Sequence, residues 1–208
     1  VTFDEASFIE PLGCCIRALN KCNFQKGDDI AIIGSGPAGI MHVKLAKAFG
    51  AGKIIVLDIN DFRMNFVKKY GDVHIFNSIT DKDLTRKIKD LTGHRGVDLS
   101  IVATGSTKAL IQSFEITRKG GKIMLFGVPS KGSEIPIDVS KIYSNEQSLI
   151  SCYAASEIET NQALKLITEK RIDVKQLITH RFSINRADEA IRCAHEANDA
   201  MKVIVTSE

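Results

Sequence analysis

Short apolar stretches alternate with stretches of helical spacing along almost the whole chain. Residues 30–33, 53–58, 97–103, 122–126 and 147–153 read as strands, with a further short one around His74, Ile75 and Phe76. The runs at 30–33 and 54–57 are apolar without alternation, the pattern of strands buried on both faces. Between the strands, apolar residues recur three and four apart. Ile40, Met41, Val43, Leu45, Ala46 and Phe49 follow the first strand, and Leu84, Ile88 and Leu91 precede the fourth. Residues 61–70 predict a polar helix, 107–118 an apolar one stopping at Gly120-Gly121, and 135–137 a loop or short edge segment. Strand and helix in strict alternation predict an α/β fold: a doubly wound, Rossmann-type parallel sheet of six strands with right-handed crossovers.

Both ends depart from that alternation. Thr2 and Glu5 have capping-box spacing, and Ala6, Ile9, Leu12, Ile16 and Leu19 continue a helix that Pro11 should kink or divide near Glu10. Past residue 153 the order becomes helix (Ile158, Ala163, Leu164, Ile167), strand at 177–182, helix (Ala190, Ile191) and strand at 201–206. The chain therefore divides into an entry helix (1–24), a core unit (25–153) and a C-terminal α-β-α-β segment (154–208).

The candidate chemistry lies where the first strand ends. Gly34-Ser35-Gly36-Pro37-Ala38-Gly39 is a Gly-x-Gly-x-x-Gly turn between a strand and a helix, and the second strand closes on Asp58, nineteen positions after Gly39. In such a turn the first glycine allows the sharp exit, the second lets backbone approach a diphosphate, and the third lets helix and strand pack closely. The helix N-terminus offers free N–H groups to the phosphates, and the acid accepts from the hydroxyls of an adenosine ribose. Ala103-Thr104 and Gly127-Val128 end two further strands on the same edge, where sheets of this kind bind ligands. The negative charge of Asp58 favours NAD over NADP. Arg63 softens that preference or serves the NAD ribose equally well.

Composition narrows the class. The 208 residues are 44% hydrophobic and 25% charged, with net charge +3 spread among both signs, which argues against a nucleic-acid surface. No apolar run reaches the length of a membrane span. The five cysteines lack CxxC spacing and read as buried thiols of a reduced, cytoplasmic setting. Asp98 reads as a turn partner, and His42 and His180 as packing or surface residues. Glu10 is either a surface glutamate at a kink or a carboxylate aimed at something specific.

On these residues the chain resembles the medium-chain dehydrogenase/reductase superfamily, and within it the zinc-dependent alcohol, polyol and threonine dehydrogenases. Gly34 to Gly39 is similar to that family's Gly-x-Gly-Pro-x-Gly, and Asp58-Ile59-Asn60 with Arg63 to its adenosine-ribose segment. Ala103-Thr104-Gly105 and Gly127-Val128 resemble segments lining the nicotinamide half. Lys202, in the final strand, resembles a basic residue near the cofactor phosphates. Glu10-Pro11-Leu12 is similar to a Glu-Pro-Leu segment whose glutamate serves polyol-type members as an auxiliary zinc ligand. The resemblance covers essentially the whole chain but only the later part of such an enzyme. The barrel-like catalytic domain with its zinc ligands, proton relay and most of the substrate pocket falls outside it. What it implies is hydride transfer between a small alcohol and NAD, with no zinc in this chain and negligible turnover by it alone. It further implies a homodimer joined through the sixth strand. The apolar faces beyond Ala154 should lack their usual cover, giving mobility or a substitute contact between chains.

Three other readings share the glycine turn. The same hexapeptide suits an FAD-binding reductase domain, but no antiparallel meander and no redox CxxC accompany it. An S-adenosylmethionine methyltransferase fits Pro37 and the third glycine less well. A nucleotide-binding fragment or module with no catalysis of its own remains open.

Overall fold

The computed structural model describes residues 1–207. Six strands form one parallel sheet in the order β3-β2-β1-β4-β5-β6: β1 (Ile30–Ile33), β2 (Ile54–Asp58), β3 (His74–Asn77), β4 (Val97–Val102), β5 (Thr117–Leu125) and β6 (Ser148–Ser151). Every pairing is parallel, so each connection must cross a face of the sheet, and the strand order reverses between β1 and β4.

The unbroken apolar strands are explained by the two cores they feed. Ile30 and Ile32 of β1, with Ile54 and Val56 of β2, face a core built by α2 (Ile9–Lys21), α3 (Pro37–Ala48) and α8 (Glu157–Thr168). Ala31, Ile33, Ile55 and Leu57 face the opposite core under α5 (Leu84–Leu91) and α6 (Thr107–Ile116). Fully burying an aliphatic side chain contributes about 1.5–3 kcal/mol, so these eight residues anchor the switch point from both sides.

Several boundaries differ from the sequence reading, each for a local reason. The entry helix divides at Ser7-Phe8, not at Glu10. α1 (Phe3–Ala6) closes its capping box between Thr2 and Glu5, and Pro11 then fits inside the first turn of α2, where its missing N–H has no intrahelical partner to lose. Past α4 (Asp61–Val67) the last turn tightens to a 3-10 turn, Lys68–Tyr70. α6 ends at Ile116, and β5 begins at Thr117 and loops outward before pairing again at Lys122, with Gly120 at φ +66° supplying the left-handed residue. α7 (Val139–Asn145), capped by Asp138, occupies a stretch that carried no helix signal. Gln147 does not open β6. Its side chain turns inward and donates to the carbonyls of Phe114 (3.0 Å) and Thr117 (2.8 Å).

The C-terminal segment keeps the expected α-β-α-β order, but its inner apolar face is not left without cover. β7 (Ile178–Ser183) and β8 (Lys202–Thr206) form a separate two-stranded parallel sheet, with α9 (Ala187–Glu196) between them. Its inner face is covered within the chain, because Ala163, Leu166 and Ile167 of α8 join Leu12, Ile16 and Leu19 of α2 in the first core. A bidentate ion pair from Arg181 to Asp4 ties β7 to α1. What stays bare is an outer set, Ile158, Ile184 and Ile191, each more than half exposed.

Asp98 is a turn partner, as its position implied. It accepts from the Asp29 amide (2.8 Å) and the Arg118 guanidinium (2.5 Å) at the sheet end opposite the glycine turn. A cleft of about 730 Å3 opens there beside Lys89 and Lys141, with Arg118 and Arg95 facing Asp98 and Asp29. It lies away from the switch point. Among the described residues no helix is long and apolar enough to cross a membrane.

Candidate functional site: the crevice at the switch point

A crevice of about 480 Å3 opens where β1, β2 and β4 end. Gly34, Gly36, Asp58, Ile59, Arg63, Ala103 and Thr104 line it, so seven of the residues singled out in the sequence meet in one place.

The three glycines of the turn have three separable causes. Gly34 has φ +100°, and a Cβ there would lie 3.1 Å from the Ala103 carbonyl oxygen. A Cβ at Gly39 would stand 1.9 Å from the Gly34 carbonyl oxygen and 3.6 Å from Ile32, so α3 packs this closely on β1 only without a side chain. Gly36 is different. Its φ is −64°, and a Cβ there would meet nothing closer than the Arg63 guanidinium at 3.7 Å. The protein's own packing does not require that glycine, and the space beside it opens into the crevice. Gly36 is also the N-cap of α3 with no side chain to satisfy the first amides, and Pro37 opens the helix.

Asp58 is nearly buried and heavily hydrogen bonded. Its Oδ2 accepts from the Ser35 amide (2.5 Å) and the Ser35 hydroxyl (2.7 Å), and its Oδ1 from the amides of Ile59 (2.7 Å) and Asn60 (2.9 Å). The carboxylate is thereby fixed at the rim of the crevice between the turn and the start of α4. Asn60 caps α4 through the Arg63 amide, which places Arg63 one turn along, facing Gly36; its Nε is buried without a partner.

Two further turns press together beside this site. A Cβ on Gly127 would come within 2.4 Å of the Thr104 backbone, and one on Gly105 within 2.5 Å of the Val128 carbonyl oxygen. Thr104-Gly105 and Gly127-Val128 therefore make one shared wall, from which the Val128 side chain stands exposed.

The remaining candidates lie elsewhere. Lys202 sits on β8 with its ammonium over the Phe8 ring, 5.4 Å from the centroid, outside the crevice lining. Glu10, at the start of α2, accepts from the Cys14 thiol at 3.1 Å. Burial first, then the Glu10 carboxylate, pushes the Cys14 thiol up to about 12. Among the described residues no three His, Cys, Asp or Glu side chains are grouped to hold a metal, so Glu10 is at most one ligand of a set completed from elsewhere. His42 is a core residue: fully buried, edge-on to Phe126 at 4.7 Å, its pKa lowered by burial to about 3. His180 shares a hydrogen bond with Thr179 on β7.

Sequence reasoning missed Ser78, Ile79, Ser106, Lys108 and Gln112, which also line the crevice. Ser106 caps α6 through the Ala109 amide, and one turn of that helix brings Lys108 and Gln112 to the opening. The available signal was the Thr104-Gly105-Ser106 turn itself, since the helix it starts must rise beside the switch point.

A parallel sheet with a glycine turn at its switch point and an acid at the end of β2 defines a Rossmann-type domain of the doubly wound class. Comparison with known proteins makes this specific. Residues 37–169 match the family described as zinc-binding dehydrogenase, and the chain belongs to that family. It is 35% identical over 206 residues to a sorbitol dehydrogenase of Bacillus subtilis, covering 99% of this chain and 58% of that protein. It is 30% identical to an L-idonate 5-dehydrogenase of Vitis vinifera, covering 98% and 56%. The solved zinc-dependent alcohol dehydrogenase 2 from Streptococcus pneumonia superposes with a TM-score of 0.89 at 26% identity, covering 98% of this chain and 59% of that one. The chain thus spans somewhat more than half the length of the relatives it matches. Membership in this family removes the flavin and methyltransferase readings.

Proposed function

We propose that this chain is the NAD-binding part of a zinc-dependent alcohol dehydrogenase acting on a secondary alcohol, a polyol or a threonine-type substrate. The observation that carries this reading is the empty space beside Gly36, a glycine the protein's own packing leaves unexplained, next to a fixed carboxylate at the end of β2. Gly34 to Gly39 hold the diphosphate against the N-terminus of α3, where free amides and the helix dipole favour negative charge. Asp58 and Ile59 take the adenosine ribose, with Arg63 alongside. The shared wall of Ala103, Thr104, Gly127 and Val128 orients the nicotinamide ring. Bound NAD supplies a hydride acceptor; these residues supply its position and a crevice that limits water. Lys202 serves the cofactor phosphates only if β8 approaches the turn more closely.

Residues 1–24 act as the connection to a catalytic domain that brings the zinc, with Glu10 as an auxiliary ligand at that junction. Residues 25–153 bind NAD, and 154–208 pack on the catalytic domain through the bare outer surface of Ile158, Ile184 and Ile191. The free, mostly covered cysteines suit a reduced cytoplasmic setting. β6 is the free edge of the large sheet, with Leu149 45% exposed, and pairs with its copy in a homodimer. Alone, the chain binds NAD with negligible turnover and acts as a nucleotide-binding module.

Calorimetric titration with NADH and NADPH tests the assignment. NADH should bind and NADPH should bind more weakly; a preference for NADPH would refute the role of Asp58. Light scattering on the same sample should give the mass of two chains, and a monomer would remove the β6 pairing.

A further inference from the structure

The cleft at the opposite end of the sheet has no part in the dinucleotide site. It encloses about 730 Å3 between the end of α5, the outward loop at the start of β5, and α7. Five of its lining side chains are cationic, Lys89, Arg95, Arg118, Lys119 and Lys141, against one carboxylate, Glu115. The two arginines are already engaged. Arg118 binds Asp98 at 2.5 Å, and Arg95 stands 3.9 Å from both Asp98 and Asp29. Arg118 also donates to the Lys119 carbonyl (2.7 Å), which pins the loop that carries Lys119. The three lysines differ: among the described residues, none of their ammonium groups has an ion pair or a hydrogen bond. Glu115 instead accepts from the Thr85 hydroxyl (3.4 Å), and Asp138, three residues before Lys141, accepts from the Ser140 hydroxyl and the Lys141 amide.

Three helices end at this cleft, and lysines often gather at helix C-termini to meet free carbonyls. Here the chain fills that role by other means. At the end of α5 the Thr92 hydroxyl and amide take the carbonyls of Ile88 and Lys89. After α6 the Gln147 side chain takes those of Phe114 and Thr117. In α7 the Ser144 hydroxyl takes that of Lys141, and the Glu146 amide those of Ile142 and Tyr143. None of the three lysines is held as a cap.

We propose that this cleft is a second binding site, for a compact anion of two or more charges held by Lys89, Lys119 and Lys141. Like charges lining one cavity repel, so an anion among them relieves that repulsion as well as gaining its own contacts. The volume is that of an ordinary small-molecule pocket. Ammonium groups act as point charges, so phosphoryl and carboxylate ligands satisfy them through the same chemistry.

Calorimetric titration of the chain with inorganic pyrophosphate and with citrate, at about 0.1 M salt, tests the proposal. At least one should bind, and the tighter of the two tells a phosphoryl from a carboxylate ligand. Lys89→Gln/Lys141→Gln should weaken that binding at least about tenfold, each charge near a surface accounting for roughly a factor of five. Lys165→Gln/Lys170→Gln removes the same charge from exposed positions on the α8 side of the sheet, across from the cleft, and should change the affinity less than about twofold. Saturating NADH should not displace the anion. Failure of both anions to bind, equal weakening by the two double variants, or displacement by NADH would each overturn the second site and leave the dinucleotide reading standing.

Discussion

Alanine at Gly36 and alanine at Gly39 should act on different properties, ligand binding and folding, although the two residues are three apart in one turn. At Gly39 the new Cβ would lie 1.9 Å from the Gly34 carbonyl oxygen and 2.9 Å from its carbon, both backbone atoms. Gly34 cannot move aside easily, since its amide donates to the Leu57 carbonyl at 2.7 Å and its φ is +100°. Gly39→Ala gains about 1 kcal/mol of helix propensity, while overpacking costs about 1–3 kcal/mol or more. With both contacts on backbone, the upper end applies. The net loss is then about 2 kcal/mol, a fall in melting temperature of roughly 4–8 °C for a chain of this size. At Gly36 the Cβ finds only the Arg63 guanidinium at 3.7 Å, and φ is −64°. The cost to folding is that of alanine as an N-cap, about 1 kcal/mol. If a diphosphate fills that space, however, the methyl stands where it must come. NADH affinity should fall at least about tenfold, or 1.4 kcal/mol. Thermal melting and calorimetric titration of the two variants separate the effects. Gly36→Ala binding NADH as tightly as wild type would refute the argument that the turn's free space is the phosphate site.

Two further expectations concern the cores. His42 is neutral in the folded chain, with a pKa lowered by burial to about 3, and titrates near its ordinary value when unfolded. Its contribution is therefore complete above about pH 6.5 and is lost as pH falls toward 3, at up to about 1.4 kcal/mol per unit. Denaturant titration at pH 7 and pH 5 should show a loss of about 2 kcal/mol from this residue that His42→Leu abolishes; an equal loss in the variant would count against it. Gln147→Leu strips the carbonyls of Phe114 and Thr117 of a buried donor and should cost about 2 kcal/mol, read from the same denaturation curves. A variant as stable as wild type would show that water replaces the amide.

The sheet was readable because its signal is repeated: β1 is apolar at every position and β2 at all but its last, and two-sided burial of Ile30–Ile33 and Ile54–Leu57 suits such runs. The elements that shifted are those decided by a single side chain acting at a distance. Gln147 looks like the start of a strand until its amide finds two carbonyls 30 and 33 residues away in sequence. Pro11 looks like a break because a helix precedes it, yet the break falls at Ser7-Phe8 and the proline sits in a first turn that tolerates it. α7 buries none of its residues, so no apolar period announced it.

The site divides along the same line. Which residues gather at the switch point follows from strand ends alone, so Gly34, Gly36, Asp58, Ala103 and Thr104 could be placed from the order of elements. How they are engaged does not follow, because a carboxylate's charge is written in the sequence but its hydrogen-bond occupancy is not. Reading Asp58 as a free acid awaiting a sugar takes its identity for its availability. With the Ser35 amide and hydroxyl and two helix-entry amides on it, that carboxylate is already engaged at both oxygens by the chain itself. Selectivity at such a site depends on the donors that surround the acid as much as on the acid. Lys108 and Gln112, carried to the same opening by one turn of α6, add donors at the crevice that the acid's charge alone does not announce.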